Sequence, residues 1–266
     1  MGTTITKPAI ESEKSFRPML TGLCLALALL GSSCGGGGST PTSGDATPTT
    51  ATLVVVMGAG SSTSPASVSL DGEVIAENVT YLSSTNPLIV PSGQHQLVVQ
   101  NSSGVFGSSP SNPFVGLDLQ PASQTTVVYI TPAVFGVAVD TFTGDTTPAP
   151  NSMAKLRIVD TSFTTEALQV FIVPFGSGPT GSPQIPEFNQ TNPTTYQTFS
   201  PGNYDIYFVT APSSGGPPPT VRYHTGSLTL GANQNRSVYF LTACPDPPAG
   251  CNAEGTYTTV TVPDLN

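Results

Sequence analysis

Two histidines, His95 and His224, are the only imidazoles in this chain, and they lie far apart in the sequence. Acid–base catalysis needs groups of matched pKa within hydrogen-bond reach of one another. Neither histidine belongs to a His-Glu-x-x-His run. The chain also has no Gly-x-Ser-x-Gly elbow and no close carboxylate pair with a partner base. Both imidazoles are expected at the edge or surface of a sheet. Gly176-Ser-Gly178-Pro-Thr-Gly181 fits the dinucleotide fingerprint letter for letter. That fingerprint holds a pyrophosphate only when a strand leads in and a helix leads out. Pro179 inside it, with Pro183 and Pro186 behind it, cannot start such a helix, so a hairpin loop is expected. Asp140 and Asp145 could offer oxygens to Ca²⁺, but that ion takes six to eight, and a solvated turn fits two carboxylates better. No cofactor, no metal and no enzymatic activity are expected.

The N-terminal region says more. Leu20–Leu30 is an apolar run, preceded by Lys7, Lys14 and Arg17 and followed by Gly31-Ser-Ser-Cys34. It has the length of a secretory h-region and is too short for a membrane-spanning helix, which needs about 20 residues. Gly31–Cys34 resembles the lipobox of bacterial lipoproteins, although Gly31 stands where that motif usually has Leu. The resemblance implies cleavage before Cys34 and lipidation of that residue, with enough acyl chains for stable anchoring. Residues 1–33 are then the signal peptide. Residues 34–50 are the lipidated Cys and a tether rich in Gly, Ser, Thr and Pro, with a reach on the order of 20–25 Å. Gly35 stands where lipoproteins kept at the inner membrane commonly carry Asp. The expected address is the cell envelope, at the outer membrane if the host has one.

Cys244 and Cys251 enclose a short Pro-rich loop. A metal site would want more Cys or His at ligand spacing. In an exported protein the pair should oxidise to a disulfide, contributing roughly 2–3 kcal/mol.

From Cys34 onward the chain has four basic residues, Lys155, Arg157, Arg222 and Arg236, against fourteen acidic ones. Nucleic acids and anionic lipid headgroups are therefore excluded as partners, since both need clustered cations. The expected partners are the membrane, through the lipid anchor, and an envelope glycan or protein. Charged residues make up only 9% of the chain, while Gly and Pro number 27 each. Short β-branched runs such as Leu53-Val-Val-Val56 alternate with Gly, Pro, Asn and Ser clusters, which predicts an all-β chain.

Four blocks recur in the same order. Ala51–Val56 matches Ala154–Val159, and Pro91–Val99 matches Ser200–Phe208. Leu117-Asp-Leu119 matches Leu228-Thr-Leu230, and Val127–Ile130 matches Ser237–Phe240. The offset drifts from 103 at Leu53/Leu156 to 109 at Gly93/Gly202 and 110 at Tyr129/Tyr239. This predicts a duplicated domain: module 1 over 51–147 and module 2 over 154–266, joined by Thr146–Pro150. Asp71-Gly72 between short β runs predicts a two-residue hairpin turn. Pro-Ser-Gly93 and Ser-Pro-Gly202 predict turns with a left-handed glycine. The proportions are those of two tandem immunoglobulin-like β-sandwich modules. Module 2 is the more aromatic, and some of Tyr196, Phe199, Tyr204, Tyr207, Phe208, Tyr223, Tyr239 and Phe240 could form a stacking platform, with core packing expected for most.

Ala154–Ser162 with Leu168–Val173, and Val68–Gly72 with Leu88–Gly93, resemble the bacterial domain of unknown function 4397 family. The likeness covers roughly 51–141 and 154–262. It implies a β fold and an exported location, and it implies no activity. The expected function is that of a non-catalytic envelope lipoprotein whose modules serve binding, adhesion or spacing. The alternative is an exported enzyme or accessory module acting on envelope or extracellular polysaccharide.

Overall fold

A computed structural model of the chain describes residues 49–58, 64–102, 104–106, 114–130, 138–162, 166–189, 194–213, 215–216, 218–243 and 257–264. The expected signal segment 1–33, Cys34, nearly all of the expected tether, and Cys244 with Cys251 lie outside the described residues. Those described form strands and one short 3-10 turn at Pro150–Ser152.

The first module contains β1 (Thr50–Gly58), β2 (Ala66–Leu70), β3 (Glu73–Val79), β4 (Ser83–Ser84), β5 (Leu88–Pro91), β6 (Gly93–Asn101), β7 (Gly104–Phe106), β8 (Val115–Leu119), β9 (Gln124–Ile130) and β10 (Ala138–Thr143). The second contains β11 (Ala154–Asp160), β12 (Leu168–Pro174), β13 (Ile185–Phe188), β14 (Gln197–Phe199), β15 (Gly202–Thr210), β16 (Val221–His224), β17 (Leu228–Leu230), β18 (Asn235–Thr242) and β19 (Tyr257–Asp264). Each module is a two-sheet sandwich. In the first, β10-β9-β1 continues into β4 and β5, and the facing sheet is β3-β2-β6 with β7 and β8 both on β6. The second repeats the plan with β19-β18-β11-β14 facing β13-β12-β15, on which β16 and β17 both pair. The duplication extends to an unusual detail. β1 runs parallel to β9, as β11 does to β18, while every neighbouring pair in these sheets is antiparallel.

The local grammar explains the hairpins. Asp71 and Gly72 both take positive φ, 52° and 88°, and Leu70 pairs with Glu73 across them. This is the mirror-image turn that matches strand twist, and Gly meets it without a Cβ penalty. Gly93 takes φ 129°, but Gly202 keeps ordinary φ, contrary to the expectation of a left-handed glycine in both turns. A Cβ on Gly202 would meet Tyr204 at 3.6 Å, so nothing there demands glycine.

Register corrects one detail of the internal alignment. Leu53 pairs with Thr125 in the first module, and Leu156 with Arg236 in the second. Thr125 and Arg236 are 111 positions apart, so Tyr129 corresponds to Phe240 and Val128 to Tyr239. A one-residue slip moves a side chain to the other face of its sheet. Tyr129 and Phe240 accordingly lie in the cores of their own sandwiches, with Leu53, Leu97 and Leu119 around one and Leu156, Ile206 and Phe208 around the other. Val128 and Tyr239 point the opposite way.

What they point at organises the molecule. β1 is buried on both faces, because the inner sheets of the two modules pack against each other. Val54, Val56, Val128 and Ile130 of the first module meet Val159, Tyr239, Leu241, Val260 and Val262 of the second. The result is a four-layer stack. Contact is close: a Cβ on Gly58 would fall 2.7 Å from Cδ2 of Leu241 and 2.8 Å from the oxygen of Tyr129. Residues from Asp45 to the C-terminus form one compact unit.

Candidate functional site

Polar side chains gather in two places, and the geometry of each decides its role. The first is a seam beside the apolar contact between modules. Arg157 on β11 is buried, donating through Nε to Ser237 Oγ at 3.1 Å and through Nη1 to the Thr143 oxygen at 2.9 Å. Its guanidinium lies 4.7 Å from the centre of the Tyr196 ring. The Tyr196 hydroxyl donates to Asp264 Oδ2 at 3.0 Å, and Ser237 Oγ lies 2.9 Å from the same oxygen. Burial raises the pKa of Asp264 and pushes the Tyr196 hydroxyl up to about 12. Gln124 of the first module reaches over to donate to the Pro263 oxygen at 3.1 Å.

The linker is clamped to the same seam. Lys155 Nζ binds Asp145 Oδ2 at 2.8 Å, and Asn235 Nδ2 donates to the oxygens of Asp145 and Thr147. Burial opposes the Asp145 charge, but hydrogen bonds from Lys155 and Thr147 outweigh it and hold the carboxyl below its usual range. Asp145 is therefore engaged in an ion pair within an ordered connection, where the sequence predicted a solvated turn. No group of three or more His, Cys, Asp or Glu able to hold a metal exists among the described residues. The seam is a structural network: Gln124 with Pro263 and Arg157 with Thr143 join the two modules across it.

The second gathering is on the outer face of the first module, on the sheet that does not contact the second. There a trough of about 570 Å³ is lined by Asp71, Gln94, His95, Gln96, Gly116 and Asp118. Three strand segments position them. The Asp-Gly hairpin raises Asp71 beside β6, where Gln96 N donates to Oδ1 at 2.8 Å. His95 Nδ1 lies 2.7 Å from Asp71 Oδ2. β8 pairs with β6 so that Gln94 sits opposite Asp118 and Gln96 opposite Gly116. The hydrogen bond from Gln96, and then that from His95, lower the pKa of Asp71. The carboxylate is ionised at neutral pH, so Nδ1 of His95 is the donor in this pair.

His95 lies deeper than the sheet edge or surface that the sequence suggested. Its side chain is only 10% exposed, and its Nε2 is buried without a hydrogen-bond partner. An Asp–His pair is two-thirds of a nucleophilic triad, but a general base needs its free nitrogen within reach of a proton to take. His224 matches expectation better. It is partly exposed, stacked on Tyr207 with ring centres 4.2 Å apart, and 3.3 Å from the buried Asp205. Most of the aromatic residues of module 2 pack as core: Phe208, Phe240 and Tyr239 are buried, and Phe199, Tyr204 and Tyr223 pack against that core. Only Tyr207 of the eight lies with the cluster of Phe171, Val173 and Val209 on the opposite face of β15. The Gly176–Gly181 segment is a loop between β12 and β13, with positive φ at Gly176 and Gly181, as the prolines require.

Sequence reasoning passed over the trough. The available signal was Gly116, a glycine inside a strand, where it weakens the strand and commonly marks a close approach.

With the geometry established, the comparisons fall into place. The model of a family described as Domain of unknown function (DUF4397) matches residues 52–171. The chain resembles that family over the whole first module, β11 and the first half of β12. A crystal structure from Parabacteroides distasonis, of a protein provisionally described as a cell adhesion protein, aligns with 81% of this chain and 99% of its own at 7% identity and a TM-score of 0.19. No curated protein matches the chain.

Proposed function

We propose that this chain is a non-catalytic cell-envelope lipoprotein, exported and anchored through Cys34, that holds two docked β-sandwich modules away from the membrane for binding or adhesion. The observation that carries this reading is the division of polar groups just described. Those with catalytic potential are tied into pairs, such as Asp71 with His95 and Asp145 with Lys155, while the outward polar side chains of the first module are left open to a partner. An acidic chain with few cations directs that partner away from nucleic acid and anionic lipid and towards an envelope glycan or protein.

The test pairs mass spectrometry of the membrane fraction with a binding and turnover screen of the purified protein against envelope polysaccharides and envelope proteins. An acylated N-terminus at Cys34 and saturable binding without turnover is the expected result. Hydrolysis of any polysaccharide would overturn the non-catalytic reading in favour of an exported enzyme.

A further inference from the structure

The duplication supplies an internal control for the trough. Gly93 pairs with Leu119 as Gly202 does with Leu230, so Gln94 and Asp118 in the first module hold the places of Asn203 and Thr229 in the second. In the second module that pair is closed. Thr229 Oγ1 donates to Asn203 Oδ1 at 2.8 Å, and the chain beyond β12 extends the ladder, with Phe175 N donating to the main-chain oxygen of Asn203 at 2.9 Å. The next β15 carboxylate, Asp205, is buried and accepts from Gly176 N at 2.8 Å. In the first module the corresponding hairpin is the minimal Asp71-Gly72 turn, which leaves the sheet uncovered. Gln94, Gln96 and Asp118 are exposed there and make no side-chain hydrogen bond with any described residue. The same pair of positions is closed on itself by a hydrogen bond in one copy and open in the other.

The floor of the open copy is Gly116. It has ordinary φ, and a Cβ built on it meets nothing within 4 Å. Neither backbone conformation nor crowding requires glycine at this place in β8. The missing side chain leaves the backbone open to something lying on the sheet between the Gln94–Asp118 pair and Gln96.

We propose that this trough binds a neutral, polyhydroxylated ligand, one or two sugar rings of an envelope glycan, with Gly116 as its floor and Gln94, Gln96, Asp71 and Asp118 as its hydrogen-bonding wall. Each sugar hydroxyl both donates and accepts. Two carboxamides, which do the same, and two carboxyl groups, which accept, form a matching set. Anionic ligands are disfavoured by the ionised Asp71 and by a net charge of −9. A metal ion is disfavoured because no suitable group of ligands exists among the described residues. This inference rests on the binding function proposed above and assigns it a place and a ligand class.

The experiment uses the full-length protein in a non-glycosidic detergent. It is titrated with neutral oligosaccharides of glucose, mannose, galactose and N-acetylglucosamine, with oligogalacturonate as the acidic comparison, and followed by calorimetry and ligand-detected NMR. At least one neutral oligosaccharide should bind saturably. Gly116→Phe and Asp118→Ala should each weaken it tenfold or more, and Asn203→Ala, in the closed copy, should leave it unchanged. Circular dichroism and melting confirm that the variants fold, and Asp118→Ala keeps the test valid if the Phe variant does not. Failure of every neutral oligosaccharide, preference for oligogalacturonate, or binding that survives both trough variants would overturn the inference. Glycan binding elsewhere, or binding only to an envelope protein, would overturn it while leaving the wider binding function intact. Turnover of an oligosaccharide would overturn that wider function itself.

Discussion

The side-chain amide of Gln124 donates to the main-chain oxygen of Pro263 at 3.1 Å, joining β9 to β19 across 139 residues of chain. Gln124 is wholly buried, and its bond ties one module to the other at the end of the apolar contact. Replacement by Ala removes this part-buried hydrogen bond, at a cost of about 1 kcal/mol. Chemical denaturation should show the wild-type modules unfolding together. The Q124A variant should have a lower midpoint, and two separated transitions would mark loss of coupling between the modules.

Gly58 tests the same docking from its apolar side. A Cβ at 2.8 Å from the Tyr129 carbonyl collides with backbone, which cannot rotate away as Leu241 can. Gly58→Ala should destabilise the protein by roughly 1–3 kcal/mol through overpacking, read as a fall in melting temperature. Gly116→Ala, in a strand with open space above it, should be neutral or slightly stabilising in the same assay.

Tyr196→Phe probes the polar seam. The hydroxyl donates to Asp264 and accepts from Asp145 N at 3.2 Å, while the ring stays beneath Arg157. Loss of the oxygen should cost about 1–3 kcal/mol, while Arg157→Met should cost more, since it removes the donors to both Ser237 Oγ and the Thr143 oxygen from a buried site. Equilibrium unfolding of the two variants gives the order, and a smaller effect for Arg157→Met would contradict this account of the seam.

Asp160 sets a pH dependence. It is 5% exposed, Oδ1 accepts from Ser162 N and Oγ, and burial pushes its pKa up to about 6 against 3.8 in the open chain. The unfolded chain gives up this proton first. The folded state therefore has the full benefit below about pH 4 and loses it as pH rises to about 6. Asp160→Asn keeps the acceptor without the charge. It should stabilise the protein by roughly 2–3 kcal/mol at pH 7.5 and by almost nothing at pH 3.5, measured by melting across that range.

The proposed anchor and the expected disulfide give two further tests. Cys34→Ser should abolish acylation and release the protein from the membrane fraction, as immunoblotting of fractions would show. If Cys244 and Cys251 form the expected disulfide, its reduction should lower stability by roughly 2–3 kcal/mol without altering glycan binding. Free thiols in the purified protein would contradict that expectation.

Strands and turns were readable from the sequence because their causes are local. Asp71-Gly72 takes the mirror-image turn for want of a Cβ, the proline-studded 176–186 stretch cannot become a helix, and Leu53–Val56 with its repeat at Leu156–Val159 reads as strand in both copies. Alternation also showed which residues of β6 face a core, since Leu97 and Val99 are buried while Gln96 and Gln100 are exposed. Alternation fails where both faces are buried. β1, β9 and β18 are buried nearly throughout, and their apolar runs Leu53–Met57, Val127–Ile130 and Val238–Leu241 have no period to show which face meets its own sandwich and which meets the other module. The same lack of period allowed Tyr129 to be matched with Tyr239, one residue out of register. Docking of the modules, burial of His95 against Asp71, and the contrast between an open and a closed copy of one trough depend on groups brought together from distant strands. Sequence by itself determined the duplicated all-β plan and its turns. Only the tertiary structure decided which faces met and which polar groups were left facing water, because face-to-face packing depends on the shapes of two surfaces, and neither surface is written in a single stretch of chain.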